Sequence, residues 1–146
     1  MKAGVDYIGI TTPFYCNDGK GNFLLHKRGQ ACRDERSTWD FGAGQLKFGE
    51  TVEQAVLREV EEEWGVKGEI QEQLPAHSIL RKQDGKSTHW VAIPFFVKVD
   101  VSEAKIMEPG KATEMGIFTL NKLPRPLHSG ILVTMATYKR YFEKYR

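Results

Sequence analysis

The stretch from Gly44 to Val66, Gly-Gln-Leu-Lys-Phe-Gly-Glu-Thr-Val-Glu-Gln-Ala-Val-Leu-Arg-Glu-Val-Glu-Glu-Glu-Trp-Gly-Val, constrains this chain most: a glycine loop runs straight into a carboxylate-rich helical segment. At about 100° per residue and with Glu59 set at zero, Glu63 falls near +40° and Glu62 near −60°, so all three share one arc of roughly 100°. Val56, Val60, Trp64 and Leu57 fill the adjoining arc, from about +60° to +160°, and form a stripe suited to a core. Glu61 falls on the far side. Thr51 is placed to cap the first turn, and Gly65 to end the helix as a left-handed residue. Gly44 and Gly49 bracket the loop before the helix, where backbone must bend tightly and can approach other groups closely. Three carboxylates on one edge repel one another unless a cation lies over them. Hard divalent cations such as Mg²⁺, or Mn²⁺ in its place, take carboxylate and water oxygens and commonly share them with substrate phosphates. An isolated run of glutamates reads more simply as a solvated face. Here the start, the stop and the charged arc of one helix agree.

Length and composition set outer bounds. With 146 residues, 40% of them hydrophobic and 27% charged, the chain is expected to form one domain over residues 1–146 with a core of ordinary size. A formal charge of +2 is too small to imply a nucleic-acid or membrane partner by itself. Cys16 and Cys32 are too few for a disulfide framework and fit reduced thiols, although a bridge between the two is left open. Lys2 and Asp6 interrupt the first residues, and no stretch approaches the roughly 20 apolar residues that span a bilayer. The expectation is a soluble, cytoplasmic protein.

Residues 5–15 are rich in β-branched and aromatic side chains and read as a strand, followed by an Asn17–Asn22 turn and a strand over Phe23 to Arg28. Residues 30–38 are polar and read as loop, and 39–48 as short strands around glycines. The helix is expected from about Thr51 to Trp64. Residues 66–82 and 88–101 read as two long strands joined by a hairpin at Gln83-Asp84-Gly85-Lys86. A short strand at 115–120, a Pro-rich turn at 123–127 and a C-terminal helix from Ser129 to Lys144 complete the order, with Ile131, Leu132, Met135, Tyr138 and Phe142 as its core stripe.

The Gly44–Val66 stretch resembles the Nudix box: Gly, five residues, Glu, seven residues, Arg-Glu, an aliphatic, any residue, Glu-Glu, any residue, Gly, an aliphatic. Gly44, Glu50, Arg58, Glu59, Val60, Glu62, Glu63, Gly65 and Val66 meet every constrained position. Relatives usually carry a Gly-Gly pair before the loop, where this chain has Ala43-Gly44. The resemblance implies an α/β fold, an α/β/α sandwich around a mixed sheet, and hydrolysis of a nucleoside diphosphate linked to some group X. It implies Glu59, Glu62 and Glu63 as metal ligands, joined by the Gly44 carbonyl, with Arg58 holding them and Glu50 supporting the loop. Glu114, before an aromatic and Leu-Pro stretch, is the later-loop candidate for a general base, the helix glutamates being the alternatives. Arg28 is the candidate phosphate contact. Tyr7, Phe14, Tyr15, His77 and Trp90 are candidates either for a base pocket or for the core, and Trp90 is taken as substrate-binding. The other acidic residues, Asp34, Glu35, Glu103 and Glu108, are read as solvent-exposed, and the four histidines as packed or surface residues.

Phe48-Gly49-Glu50-Thr51 and Glu108-Pro109-x-Lys111 resemble the MutT-like branch that cleaves (deoxy)nucleoside triphosphates to monophosphate and pyrophosphate. Arg81 to Asp84 carry no Tyr or Pro of the kind that marks the ADP-ribose and dinucleoside polyphosphate branches. Another NDP-X, such as a nucleotide sugar or ADP-ribose, a non-catalytic nucleotide-binding module, and a structural domain with an incidental acidic face are the alternatives. The implied partner is a small nucleotide, and a homodimer fits the resemblance.

Overall fold

The structure is a computed structural model that describes residues 1–32 and 34–146, Gln83 through its backbone only. Arg33, inside the segment read as a polar loop, lies outside the described residues. A mixed sheet is covered on one face by α1 (Val52–Trp64) and on the other by α2 (Gly130–Thr137) and α3 (Lys139–Glu143), so the fold is the expected α/β/α sandwich. No helix among the described residues is long and apolar enough to cross a membrane.

The central strand is β1 (Gly9–Asn17). It begins later than read from the sequence, because residues 2–7 form a tight turn closed by Gly4 N–H donating to the Tyr7 carbonyl at 2.7 Å. On one side β1 pairs in antiparallel with β4 (Ala43–Gln45) and, through Asn17 and Phe23, with β2 (Phe23–Arg28). Beyond β2 lie β3 (Trp39–Asp40) and β9 (Ala112–Phe118). The other side of β1 carries two parallel partners in succession, β7 (Lys86–Ala92) and then β8 (Phe95–Lys98). These pair with β6 (His77–Gln83) and β5 (Glu69–Gln73) respectively.

The two long strands expected around the hairpin are thus four short ones. Pro75 and Pro94 explain the breaks, since proline has no N–H to offer a ladder. The kinks sit side by side, joined by Leu74 N–H donating to the Pro94 carbonyl at 2.8 Å. The hairpin itself turns on Asp84 and Gly85, both at positive φ, which is the two-residue geometry that suits twisted strands.

The core is split by the sheet. Val56, Val60 and Trp64 of α1 pack with Phe14, Leu24, Phe95 and Val97 on one face. Tyr15, Phe23, Leu25 and Phe96 pack with Ile131, Tyr138 and Phe142 on the other. The C-terminal helix breaks at Tyr138 into two short ones, and Leu132, expected in the core, is exposed. The reason is that Ile131 and Tyr138 face the sheet seven positions apart, which turns Leu132 and Val133 outward.

The capping of α1 follows the sequence closely. Thr51 Oγ1 accepts from Gln54 N–H, Gln54 Oε1 accepts from Thr51 N–H, and Gly65 is left-handed at φ 70°. Each apolar side chain of its buried stripe contributes about 1.5–3 kcal/mol. Val60→Asp, which puts an unpaired charge into that stripe, is expected to cost about 3 kcal/mol or more and to lower the thermal midpoint by roughly 10 °C. Glu61→Ala, on the exposed side, is expected to leave it within roughly 2 °C. Thermal denaturation of both variants measures the difference; equal midpoints would place the stripe on the wrong face.

Candidate functional site

The acidic edge of α1 is organised by Arg58. Its Nη2 and Nε donate to the two oxygens of Glu50 at 2.7 and 3.1 Å, a bidentate pair. Nη2 also donates to the Gln45 carbonyl at 3.1 Å, so one side chain ties the start and the end of the preceding loop to the helix. Nη1 donates to Glu59 Oε1 at 2.6 Å and lies 3.3 Å from Glu62 Oε2. The guanidinium holds Glu50 down to about 2, well below the usual carboxylate range, helped by the Lys47 N–H at 2.8 Å.

The three helix carboxylates differ in setting. Glu62 is 48% exposed at its side chain. Glu59 is half-buried, and burial raises it despite Arg58. Glu63 sits deepest: its Oε2 is shielded from solvent and has no hydrogen-bond partner among the described residues. Burial pushes Glu63 well above the usual range, and the negative charges of Glu59, Asp40 and Glu108 add to this while Lys111 opposes it. A buried carboxylate oxygen without a donor is costly unless something outside the chain satisfies it.

The glycine loop is the wall of this edge. A Cβ on Gly44 would lie 2.0 Å from Glu59 Cγ, and one on Gly42 would lie 2.7 Å from Glu63 Oε2. Gly42 also has φ 124°, which favours glycine. Ala43 between them is exposed, so replacing the usual glycine there leaves the close approach intact. The Gly44 carbonyl accepts from Thr11 Oγ1 at 3.1 Å and Thr12 Oγ1 at 3.3 Å. Oxygen donors of this kind, carboxylates with a backbone carbonyl at the same wall, suit a hard divalent cation.

On the opposite side of Gly42–Gly44 a cavity of about 350 Å³ opens between the sheet and α2. Trp90, which the sequence left between pocket and core, lines it; the indole rests against the backbone of Gly4 and Gly9, where a Cβ would come within 2.2 and 2.5 Å. His77 and Tyr15 line it too, whereas Phe14 is buried in the α1 core and Tyr7 is exposed near Leu80. Arg28 borders the cavity with its guanidinium engaged: Nη2 donates to Asp34 Oδ1 at 3.0 Å, and Nη1 lies 3.4 Å from Asp40 Oδ2. The ladder of β2 with β9 shifts between Lys27 and Arg28, a bulge that re-aims the following side chain.

Glu114 is not brought to this edge. On β9 Met115 packs with the α1 core and Phe118 with the α2–α3 core, so strand alternation puts Glu114 on the face away from α1. There it is largely exposed, 4.0 Å from Lys27 Nζ. The later-loop carboxylate near the cluster is Glu108, whose Oε2 lies 3.3 Å from Lys111 Nζ and whose charge acts on Glu63. Glu108 is thus more than the solvent-exposed residue expected from the sequence, where the Glu108-Pro109-x-Lys111 spacing is the signal that marks it.

Asp34 and Glu35, expected to be solvent-exposed, are mostly covered. Glu35 accepts from Ser129 N–H at 2.7 Å, from Ser129 Oγ at 2.9 Å and from His128 Nε2 at 2.7 Å, latching the loop to the start of α2. The donor atoms of Asp34, Glu35 and His128 lie within 4.8 Å of one another, but Asp34 is engaged by Arg28, and Glu35 by Ser129 and His128. Both cysteines are free thiols, so the bridge left open between them does not form.

Gly44→Ala is expected to overpack the wall against Glu59 at a cost of about 1–3 kcal/mol, lowering the thermal midpoint by several degrees, while Ala43→Gly changes it little. Melting curves of the two variants measure this, and an unshifted Gly44→Ala midpoint would contradict the close approach.

A sequence model of the NUDIX domain matches residues 9–137. Among solved structures, a MutT NUDIX hydrolase from Burkholderia pseudomallei is 27% identical, with a TM-score of 0.77 over 91% of this chain and 99% of that one. A MutT protein from Methanosarcina mazei Go1 is 23% identical, with a TM-score of 0.68 over 94% and 92%. A UDP-X diphosphatase shares the fold at 17% identity and a TM-score of 0.70, over 98% of this chain and 65% of that one. With the domain match spanning most of the chain and the box helix, its glycine wall and its capping all formed, this protein belongs to the Nudix family of pyrophosphohydrolases, which act on nucleoside diphosphates linked to a further group.

Proposed function

We propose that residues 1–146 act as one Nudix domain that hydrolyses a (deoxy)nucleoside triphosphate to the monophosphate and pyrophosphate, in the manner of the MutT-like branch. The observation that carries this reading is the buried, donorless Glu63 Oε2 beside Glu59, walled by glycines that leave no room for a Cβ. A cation would satisfy that oxygen. Glu59, Glu62, Glu63 and the Gly44 carbonyl would hold Mg²⁺, or Mn²⁺ in its place, each an oxygen donor at one wall. When bound, such an ion supplies positive charge against the phosphoanhydride oxygens and a more acidic water.

The chain's own residues supply position. Arg58 prevents Glu59 and Glu62 from swinging apart, and through Glu50 and Gln45 it fixes the loop that carries Gly44. The cavity beside Gly44 would seat the nucleoside, with Trp90 as an apolar platform of the kind that bases stack on. Arg28 borders the same cavity with its guanidinium held by Asp34 and Asp40, so it would contact a phosphate only by exchanging one of those partners. Glu108, whose charge acts on Glu63 and whose carboxylate is paired with Lys111, would accept the proton that leaves the attacking water. A cytoplasmic setting fits a small nucleotide substrate and free thiols.

Release of pyrophosphate from a panel of nucleoside triphosphates, oxidised purine triphosphates, nucleotide sugars and ADP-ribose, with products identified, tests the substrate class. Glu62→Gln is expected to lower kcat by roughly a hundredfold with an unchanged melting curve, since it removes ligand charge from an exposed position. Chelation of divalent ions is expected to abolish turnover and added Mg²⁺ to restore it. Wild-type rates in Glu62→Gln would sink the metal assignment. Glu108→Gln is expected to lower kcat by about 10²-fold with little change in KM, and Glu114→Gln to stay within roughly twofold of wild type. The reverse order would return the base to β9.

A further inference from the structure

His77 carries a tautomer that its neighbours dictate. Tyr138 Oη lies 2.5 Å from the Pro75 carbonyl oxygen and 2.5 Å from His77 Nδ1. A carbonyl oxygen only accepts, and a phenol has one hydrogen to give. That hydrogen must lie on the line to Pro75, because two oxygens at that separation repel one another without it. Burial raises the Tyr138 hydroxyl above its ordinary value, so it keeps its proton. Toward His77 the phenol oxygen is therefore the acceptor, and Nδ1 must bear a hydrogen of its own.

Burial also holds His77 below the ordinary imidazole value, so its ring is neutral at neutral pH. A neutral ring protonated at Nδ1 has a bare lone pair at Nε2. No hydrogen bond among the described residues engages that atom. The ring is fixed by its edge-on contact with Tyr138, centroids 5.3 Å apart, and it lines the cavity with Ile79 of the same strand face and Trp90 of the adjacent strand. Its immediate neighbours in the wall, Ile79 and Trp90, are apolar, which sharpens the cost of leaving a lone pair unmet when a ligand displaces water.

We infer that His77 is a specificity-determining residue whose Nε2 accepts a hydrogen bond from an exocyclic amine of the bound base. The cavity thereby favours amine-bearing nucleotides over otherwise identical ones without the amine. This inference rests on the reading of the cavity as the seat of the nucleoside. Tyr138 is a positioning residue, acting through the proton it assigns to His77. Pocket groups built to pair with a substrate N–H discriminate against the analogue lacking it by tenfold and more.

Binding of monophosphates, which needs no turnover, separates this inference from the hydrolytic reading. Calorimetry on the intact protein compares three pairs that differ by one amine: adenosine against purine riboside, guanosine against inosine, and cytidine against 2-pyrimidinone riboside monophosphate. The wild type is expected to bind the amine-bearing member at least about tenfold tighter in one or more pairs. His77→Phe is expected to bring the members to within roughly twofold, and Tyr138→Phe to shrink the preference without abolishing binding. Equal binding by the wild type, or a preference that survives in His77→Phe, overturns the inference and leaves the pyrophosphohydrolase reading untouched. The ¹⁵N spectrum of the wild-type imidazoles at neutral pH gives a readout that no variant's folding affects. A protonated Nδ1 and a bare Nε2 at His77 support the assignment, and a protonated Nε2 overturns it.

Discussion

The Arg58 guanidinium, clamped bidentate on Glu50 and reaching Glu59, Glu62 and the Gln45 carbonyl, is what allows an acid-rich helix edge to exist beside a tight loop. Without a fixed cation there, the like charges of Glu59 and Glu62, three positions apart, would spread, and the loop would lose its tie to the helix. Arg suits the task better than Lys because its planar fork can serve several oxygens at once. The clamp also leaves Glu63 out. Its Oε2 is buried against Gly42 with no donor among the described residues, so the arrangement satisfies the rim of the cluster and leaves its deepest oxygen unmet.

The sheet divides the chemistry between its faces. The carboxylates stand on the α1 face, and the cavity opens on the α2 face, with Gly42–Gly44 common to both. A thin glycine wall is all that separates the two regions. The kinks at Pro75 and Pro94 matter here because they let one hairpin supply the cavity floor from β6 and β7 while β5 and β8 continue the core.

Side chains distant in sequence close the cavity. Glu35 reaches Ser129 and His128, ninety-odd positions away, and Arg28 is held between Asp34 and Asp40. Tyr138 joins the break between the two C-terminal helices to the Pro75 kink and to His77. Charged loop residues and a helix break thus serve the cavity through contacts that span the fold.

Local rules made the box helix legible in the sequence: the Thr51 cap, the Gly65 stop, the Val56–Val60–Trp64 stripe and the acidic arc all follow from helical periodicity within a few turns. The glycine at 44 and the hairpin at Asp84-Gly85 were legible for the same reason, as backbone demands met by nearby residues, whereas the demand on Gly42 shows only once Glu63 packs against it. Which carboxylates stand together was decided only by the tertiary structure. Glu114 and Glu108 look alike in sequence, yet strand alternation sends one away from α1 while a loop brings the other to it. Asp34 and Glu35 read as surface charges because their partners come from other elements, and the proton on His77 is set by a tyrosine sixty-one residues on. Short-range geometry is written in spacing, whereas long-range pairing depends on how strands register and helices dock, which no local pattern encodes.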